Sequence, residues 1–179
     1  DVETDDNVWR QTTARLPWLL IGMIGGIGNS MILGNFDSLF ARFPEMALYI
    51  PLIGGTGGNV GTQSSALVVQ GLANSSLDAG NTWKQLIKES VVALINATII
   101  SMLVYIYNFI RFGPAATVSY SVSLSLFAVV MFASLFGTLV PMTLEKCKID
   151  PAIATGPFIS ITNDIIGMMM YMGITVLLS

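Results

Sequence analysis

The chain contains no histidine, a single cysteine and only 8 basic and 11 acidic side chains in 179 residues. One cysteine, Cys147, excludes an internal disulfide framework. Without histidine the commonest transition-metal ligand and the usual general base at neutral pH are both missing. Any metal site must therefore be built from oxygen ligands. No span holds paired acids, so nucleophilic or metal-hydrolytic catalysis has few candidate groups, and an enzyme is not expected. The scarcity of charge also leaves too little polar sequence to coat a soluble globule.

Apolar sequence is abundant. Hydrophobic residues make up 53% of the chain, and its mean hydropathy is +0.71. About twenty apolar residues are needed to cross ~30 Å of hydrocarbon. Four such runs occupy residues 16–36, 91–112, 115–144 and 152–178. A fifth, residues 46–73, is long enough but carries five glycines within eight positions at its centre. The pattern predicts an all-α polytopic membrane bundle of five transmembrane helices over residues 16–179. Residues 1–15 begin Asp-Val-Glu-Thr-Asp-Asp, with neither an initiating Met nor the basic start of a signal peptide. They are expected to form an acidic cytoplasmic leader from a longer protein.

Lysine and arginine orient the bundle. With five crossings and the N-terminus inside, Arg10, Arg15, Lys84, Lys88, Lys146 and Lys148 lie inside, and Arg42 and Arg111 lie outside. The prediction is a multi-pass protein of the cell (inner or plasma) membrane, N-terminus cytoplasmic and C-terminus outside. It would be surrounded by lipid and have no nucleic-acid partner. If the second segment did not cross, four lysines would move outside and the asymmetry would reverse.

Asp164 stands alone in the last apolar run, with no cation within ten residues. A carboxylate near the centre of a membrane helix costs roughly 2.5–3.5 kcal/mol on insertion scales, so such residues commonly mark ion or substrate paths. At helical spacing Gly156, Ser160, Asp164 and Gly167 form one small, acidic stripe, opposite Phe158, Ile161, Ile165 and Met169. Counted from Pro151, Asp164 falls ~20 Å along a helix, inside the hydrocarbon. The alternative is a protonated Asp bonded to a neighbouring helix.

The second run reads Pro51-Leu-Ile-Gly54-Gly55-Thr56-Gly57-Gly58-Asn59-Val60-Gly61-Thr62-Gln63. Glycine costs about 1 kcal/mol against alanine in a helix interior, and proline more, so this helix is expected to break near mid-membrane. Non-helical backbone at that depth is tolerated only inside protein or along a water-filled cavity. Freed carbonyls with Asn59, Thr62 and Gln63 would then form a hard-oxygen surface for a cation. The alternative use of the glycines is close helix crossing.

Other features carry less. Gly22 to Gly26 in the first run allow close packing beyond Pro17 and the interfacial Trp18. Asn96 and Asn108 are expected to make interhelical hydrogen bonds. Serines 119, 121, 123 and 125 share no single helical face and read as the outer end of the fourth helix. Lys84, Lys88 and Glu89 read as interfacial and solvated, Cys147 as an ordinary thiol, and the methionines at 168, 169, 170 and 172 as packing.

Taken together, the Gly54–Gln63 signature, Gly137-Thr-Leu-Val-Pro141, Asp150-Pro-Ala, Gly156-Pro157, Asp164 with Gly167, and Arg15-Leu-Pro-Trp-Leu-Leu20 resemble the MgtE family of magnesium channels and transporters. The likeness runs over nearly the whole chain. It implies a homodimer with a pore between protomers, lined by the second and fifth helices, in which Asp164 binds Mg²⁺. It also implies a cytoplasmic Mg²⁺-sensing regulatory domain before this segment, with CBS domains in many members. This chain has Gln70 where many members carry Arg, Ile166 where Thr is common, and Gly156 where some have Asn.

The candidate metal-site residues are therefore Gly54, Gly57, Gly58, Asn59 and Thr62 from the second segment, and Gly156, Ser160 and Asp164 from the fifth. Two Asp164 carboxylates across a twofold axis would repel each other unless a divalent ion lay between them, and hydrated Mg²⁺ suits such a site. A secondary transporter coupling Mg²⁺ to Na⁺ or H⁺ is the alternative, since broken helices beside a midplane acid serve that class too. A purely structural bundle would tolerate loss of Asp164.

Overall fold

A computed structural model describes residues 3–179; the first two residues of the acidic leader lie outside the described residues. Among the described residues every regular element is helical. Five long helices, α1 (Val8–Gly34), α3 (Ile50–Ala73), α4 (Thr82–Phe112), α5 (Thr117–Lys146) and α6 (Pro157–Leu178), are joined by short turns and the six-residue α2 (Asp37–Arg42). α1, α4, α5 and α6 are long and apolar enough to cross a membrane. The 24-residue α3 is long enough by its rise but is not among them.

Local chemistry sets several helix ends away from the expected limits. The Asn7 side chain accepts a hydrogen bond from the Arg10 amide at 2.8 Å and caps α1, so residues 8–15 are helical and Pro17 stands inside the helix. The last apolar run does not form one helix from Pro151. Residues Pro151–Thr155 make a 3₁₀ turn, started where Asp150 accepts from the Ala152 amide at 3.0 Å. Extended backbone at Gly156 (φ −102°, ψ −150°) then separates that turn from α6. Asp164 is thus two turns into α6, about 10 Å from its start rather than 20.

The break expected in the glycine-rich segment is absent. α3 is continuous from Ile50 to Ala73, through every glycine. Pro51 occupies the first helical turn, where its missing N–H is not needed. Two of the glycines, Gly57 and Gly61, meet neighbours that leave no space for a side chain. A Cβ on Gly57 would stand 2.8 Å from Val129 Cγ1, and one on Gly137 would stand 2.6 Å from the Gly61 carbonyl oxygen. Close packing on both sides outweighs the unfavourable helix propensity of glycine.

α5 is the centre of the bundle and packs against α3, α4 and α6, while α1 lies along α6. Its central place accounts for the four serines. Ser119, Ser121, Ser123 and Ser125 are all buried, because neighbours surround this helix and small side chains let them approach. Ser119 donates to the Gly113 carbonyl at 3.0 Å, and Ser101 of α4 donates to the Ser123 carbonyl at 2.9 Å. Ile53, Val122, Leu126, Val129, Met168 and Tyr171 belong to the apolar core. A 3₁₀ turn, Pro44–Tyr49, is tied down at both ends: Tyr171 donates to the Met46 carbonyl at 2.9 Å, and Tyr49 donates to Asn108 Oδ1 at 2.5 Å. Asn96 is exposed on α4.

Candidate functional site

α3 and α6 meet along two runs of residues spaced four apart, which places each run on one helical face. Gly54, Gly58 and Thr62 on α3 stand against Ser160, Asp164 and Met168 on α6. A Cβ on Gly54 would lie 3.5 Å from Asp164 Oδ1. One on Gly58 would lie 3.7 Å from Ser160 Oγ and 3.9 Å from Asp164 Oδ1. Without those methyl groups, the carboxylate faces an open cleft of about 390 Å³. Asn59, Gly55 and Ile50 complete the α3 wall, and Asn29 of α1 closes the far side.

The lining is mainly polar, unlike the apolar clefts between α4 and α5. Asp164 is half-buried, and Asn59 and Thr62 are exposed. Thr62 Oγ1 donates to the Gly58 carbonyl at 2.8 Å. Among the described residues the one ion pair, Arg10 with Asp6, is remote from this cleft, so no cation accompanies Asp164. Also among the described residues, no three His, Cys, Asp or Glu side chains cluster as a metal site. The cleft offers a cation a single carboxylate, the Asn59 amide and the hydroxyls of Ser160 and Thr62.

The cleft therefore gathers Gly54, Gly58, Asn59, Thr62, Ser160 and Asp164 from the expected set. Gly57 and Gly156 are not in it. Gly57 is buried on another face of α3, against Val129 and 3.9 Å from the Asn163 carbonyl oxygen by its absent Cβ. Gly156 forms the turn before α6, with nothing within 4 Å of its absent Cβ. Gly167 packs towards Val129 and Ile53. Because α3 is an unbroken helix, its carbonyls serve the helix ladder, and Gly54 and Gly58 contribute space beside the carboxylate.

Two residues were not visible as partners of the site. Asn29 reaches it because Gly25, one turn earlier, lets α1 approach α6, where a Cβ would meet Ile161 Cγ2 at 2.5 Å. The Gly22–Gly26 cluster signalled close packing, but Gly22 and Gly26 have nothing within 4 Å. Asn163 precedes Asp164 and is buried beside Gly61, with both side-chain polar atoms unpartnered among the described residues. An isolated Asn in an apolar run gives no hint of that contact.

Residues 50–174 match the MgtE family, described as a divalent cation transporter. Over 174 residues the chain is 31% identical to the magnesium transporter MgtE of Bacillus subtilis (strain 168), covering 97% of this chain and 38% of that protein. It is 32% identical over 165 residues to the magnesium transporter MgtE of Thermus thermophilus, covering 92% of this chain and 36% of that protein. The Enterococcus faecalis magnesium transporter MgtE is 28% identical over 172 residues, with 96% and 38% covered. The chain spans well under half the length of the curated relatives it matches.

Proposed function

This chain belongs to the MgtE family of divalent cation transporters, and on that premise we propose that it forms a Mg²⁺ channel in which hydrated Mg²⁺ passes between two copies, along a path lined by α3 and α6. The observation that carries the reading is the single uncompensated Asp164 facing a glycine-cleared cleft. One carboxylate cannot balance a divalent ion. A second copy across a twofold axis supplies the other, at equal distance from the ion.

Volume favours a hydrated cargo. At roughly 30 Å³ per water, the six waters of octahedral Mg²⁺ occupy roughly 180 Å³. The cleft of one protomer, about 390 Å³, has space for that shell. Mg²⁺ gives up its waters reluctantly, so a site that binds through them avoids the dehydration cost. Two carboxylates select divalent over monovalent ions by charge, and the hydroxyl and amide groups of Ser160, Thr62 and Asn59 suit the water shell. Binding through water also stays weak enough for release, which conduction requires.

α3 counts as the fifth crossing in this reading. Its glycines lower its hydropathy, but α5 and α6 cover it, so it needs less apolar surface towards lipid. Five crossings with a cytoplasmic N-terminus give the lysine and arginine asymmetry its usual sign. The continuity of α3 favours a channel over a transporter coupled to Na⁺ or H⁺, whose sites are commonly built from discontinuous helices.

The test is Mg²⁺ flux through the full-length protein in liposomes, with and without Na⁺ and pH gradients, for the wild type, Asp164→Asn and Asp164→Ala. Both variants should assemble and lose Mg²⁺ flux. Wild-type flux in either variant sinks the ion-site reading, and flux that follows the Na⁺ or H⁺ gradient replaces the channel with a coupled transporter.

A further inference from the structure

The face of α3 that packs into the protein is poor in side chains. Its buried residues are Ile53, Gly57, Gly61, Ser64, Ser65, Val68 and Gly71, which together form one stripe along the helix. Side-chain ridges normally fix how a helix is rotated against its neighbours, but three of these seven residues have no side chain and two more are serines. Yet the rotation of α3 decides whether Gly54 and Gly58 face Asp164, because one residue of rotation turns the helix by about 100°.

One directional contact stands on that stripe. Ser64 Oγ donates to Glu89 Oε1 of α4 at 2.7 Å. Among the described residues it is the one hydrogen bond from an α3 side chain to another helix. α4 and α3 both pack on α5. The bond passes where α5 is thinnest: a Cβ on Gly137 would stand 3.2 Å from Ser64 Cβ. Glu89 is seven residues into α4, about 10 Å from its start. The outward residues of that helix include Val91, Val92, Leu94 and Ile95. Glu89 precedes the apolar run and is half-buried, turned inward onto the stripe rather than solvated, while Lys84 and Lys88 before it are exposed.

We infer that Glu89 is a positioning residue for the ion path: by accepting from Ser64 it holds the rotational setting of α3 that keeps Gly54 and Gly58 opposite Asp164. The inference rests on the Mg²⁺ path proposed above. Glu89 itself stays outside the cleft and touches no ion. Its job needs a hydrogen-bond acceptor at Oε1 and does not need the negative charge.

Full-length protein in liposomes, assayed for Mg²⁺ flux against Mg²⁺ concentration and for the Mg²⁺-to-Ca²⁺ flux ratio, tests this. Glu89→Ala and Ser64→Ala should each raise the half-saturating Mg²⁺ concentration and lower the flux ratio roughly three- to tenfold, the scale of one hydrogen bond. Glu89→Gln, which keeps the acceptor, should restore both to within about twofold. The Glu89→Ala/Ser64→Ala double variant should be no worse than the worse single, as residues acting through one bond are not additive. Wild-type half-saturation and ion ratio in folded Glu89→Ala overturn the inference. So does Glu89→Gln as impaired as Glu89→Ala, which would make the charge the active feature. If Glu89→Ala does not assemble, Ser64→Ala, which loses only a hydroxyl, decides in the same way. Asp164→Asn run in parallel separates the two ideas: intact flux there removes the ion path, whereas lost flux there with unaltered Glu89 and Ser64 variants removes only the positioning role.

Discussion

The side-chain amide of Asn163 occupies the space a side chain on Gly61 would need, so α3 and α6 touch closely one residue before Asp164. The contact is walled on its other side by α5, where Gly137 lies against the Gly61 carbonyl. Gly61 therefore belongs to the joint between helices, and Gly58, three residues earlier, to the cleft. The two glycines should fail in different ways when replaced.

Gly61→Ala overpacks the joint and is expected to destabilise the protein by about 1–3 kcal/mol, the usual cost of forcing extra volume into a packed core. Thermal unfolding in detergent measures this. A melting temperature equal to wild type would mean that Asn163 moves aside freely.

Gly58→Ala places a methyl at ordinary van der Waals distance from Ser160 and Asp164, 3.7 and 3.9 Å. Stability should be unchanged or raised by up to about 1 kcal/mol from the better helix propensity of alanine. Flux should fall, and Gly58→Leu should block it while the protein still assembles. Unimpaired flux in Gly58→Leu would remove this face of α3 from the ion path.

Along α1, Gly25→Ala should weaken its docking on α6, because the new methyl meets Ile161 at 2.5 Å. A loss of about 1–2 kcal/mol is expected for such a clash. Gly22→Ala and Gly26→Ala have open space and should be neutral within the protomer. Melting curves of the three variants side by side check the contrast.

Tyr49→Phe leaves Asn108 buried without its partner, at an expected cost of about 1–3 kcal/mol. Adding Asn108→Leu removes the orphaned amide and should recover much of that loss, since replacing both members of a buried pair by apolar groups is often nearly neutral. A double variant less stable than Tyr49→Phe would show that the amide has another role.

Mg²⁺ itself should stabilise the wild type. At a concentration 100 times its dissociation constant, a ligand that binds only the folded state adds about 2.7 kcal/mol. The gain should vanish on chelation and be absent in Asp164→Asn. Equal stabilisation of both proteins would place the dominant Mg²⁺ site elsewhere.

Much of the architecture was readable from the chain because it depends on patterns within single segments. Apolar runs of membrane length gave the five long helices to within several residues, and the spacing of Ser160 and Asp164 put both on one face. The capping side chain of Asn7 and the proline-bearing turn before Gly156 moved two helix starts, since local hydrogen bonds rather than hydropathy set where a helix begins. The serines of α5 stand in its first turns, as their reading as a helix end expected, but their packing was not legible. Around a central helix they are the small groups that let three neighbours close in, which the sequence of one segment does not show.

By itself the sequence determined the class of molecule and its one uncompensated acid. Too few charges for a soluble globule, long apolar runs and an isolated Asp164 among small residues are each properties of a linear segment. Only the tertiary structure decided what the glycines do. Propensity assigns each one the same helix-breaking cost, but Gly57 and Gly61 meet α5 and α6, Gly54 and Gly58 clear space beside Asp164, and the helix they share stays whole. Those outcomes depend on what stands across from each residue, and partners brought from 72 to 110 positions away leave no trace in the local sequence.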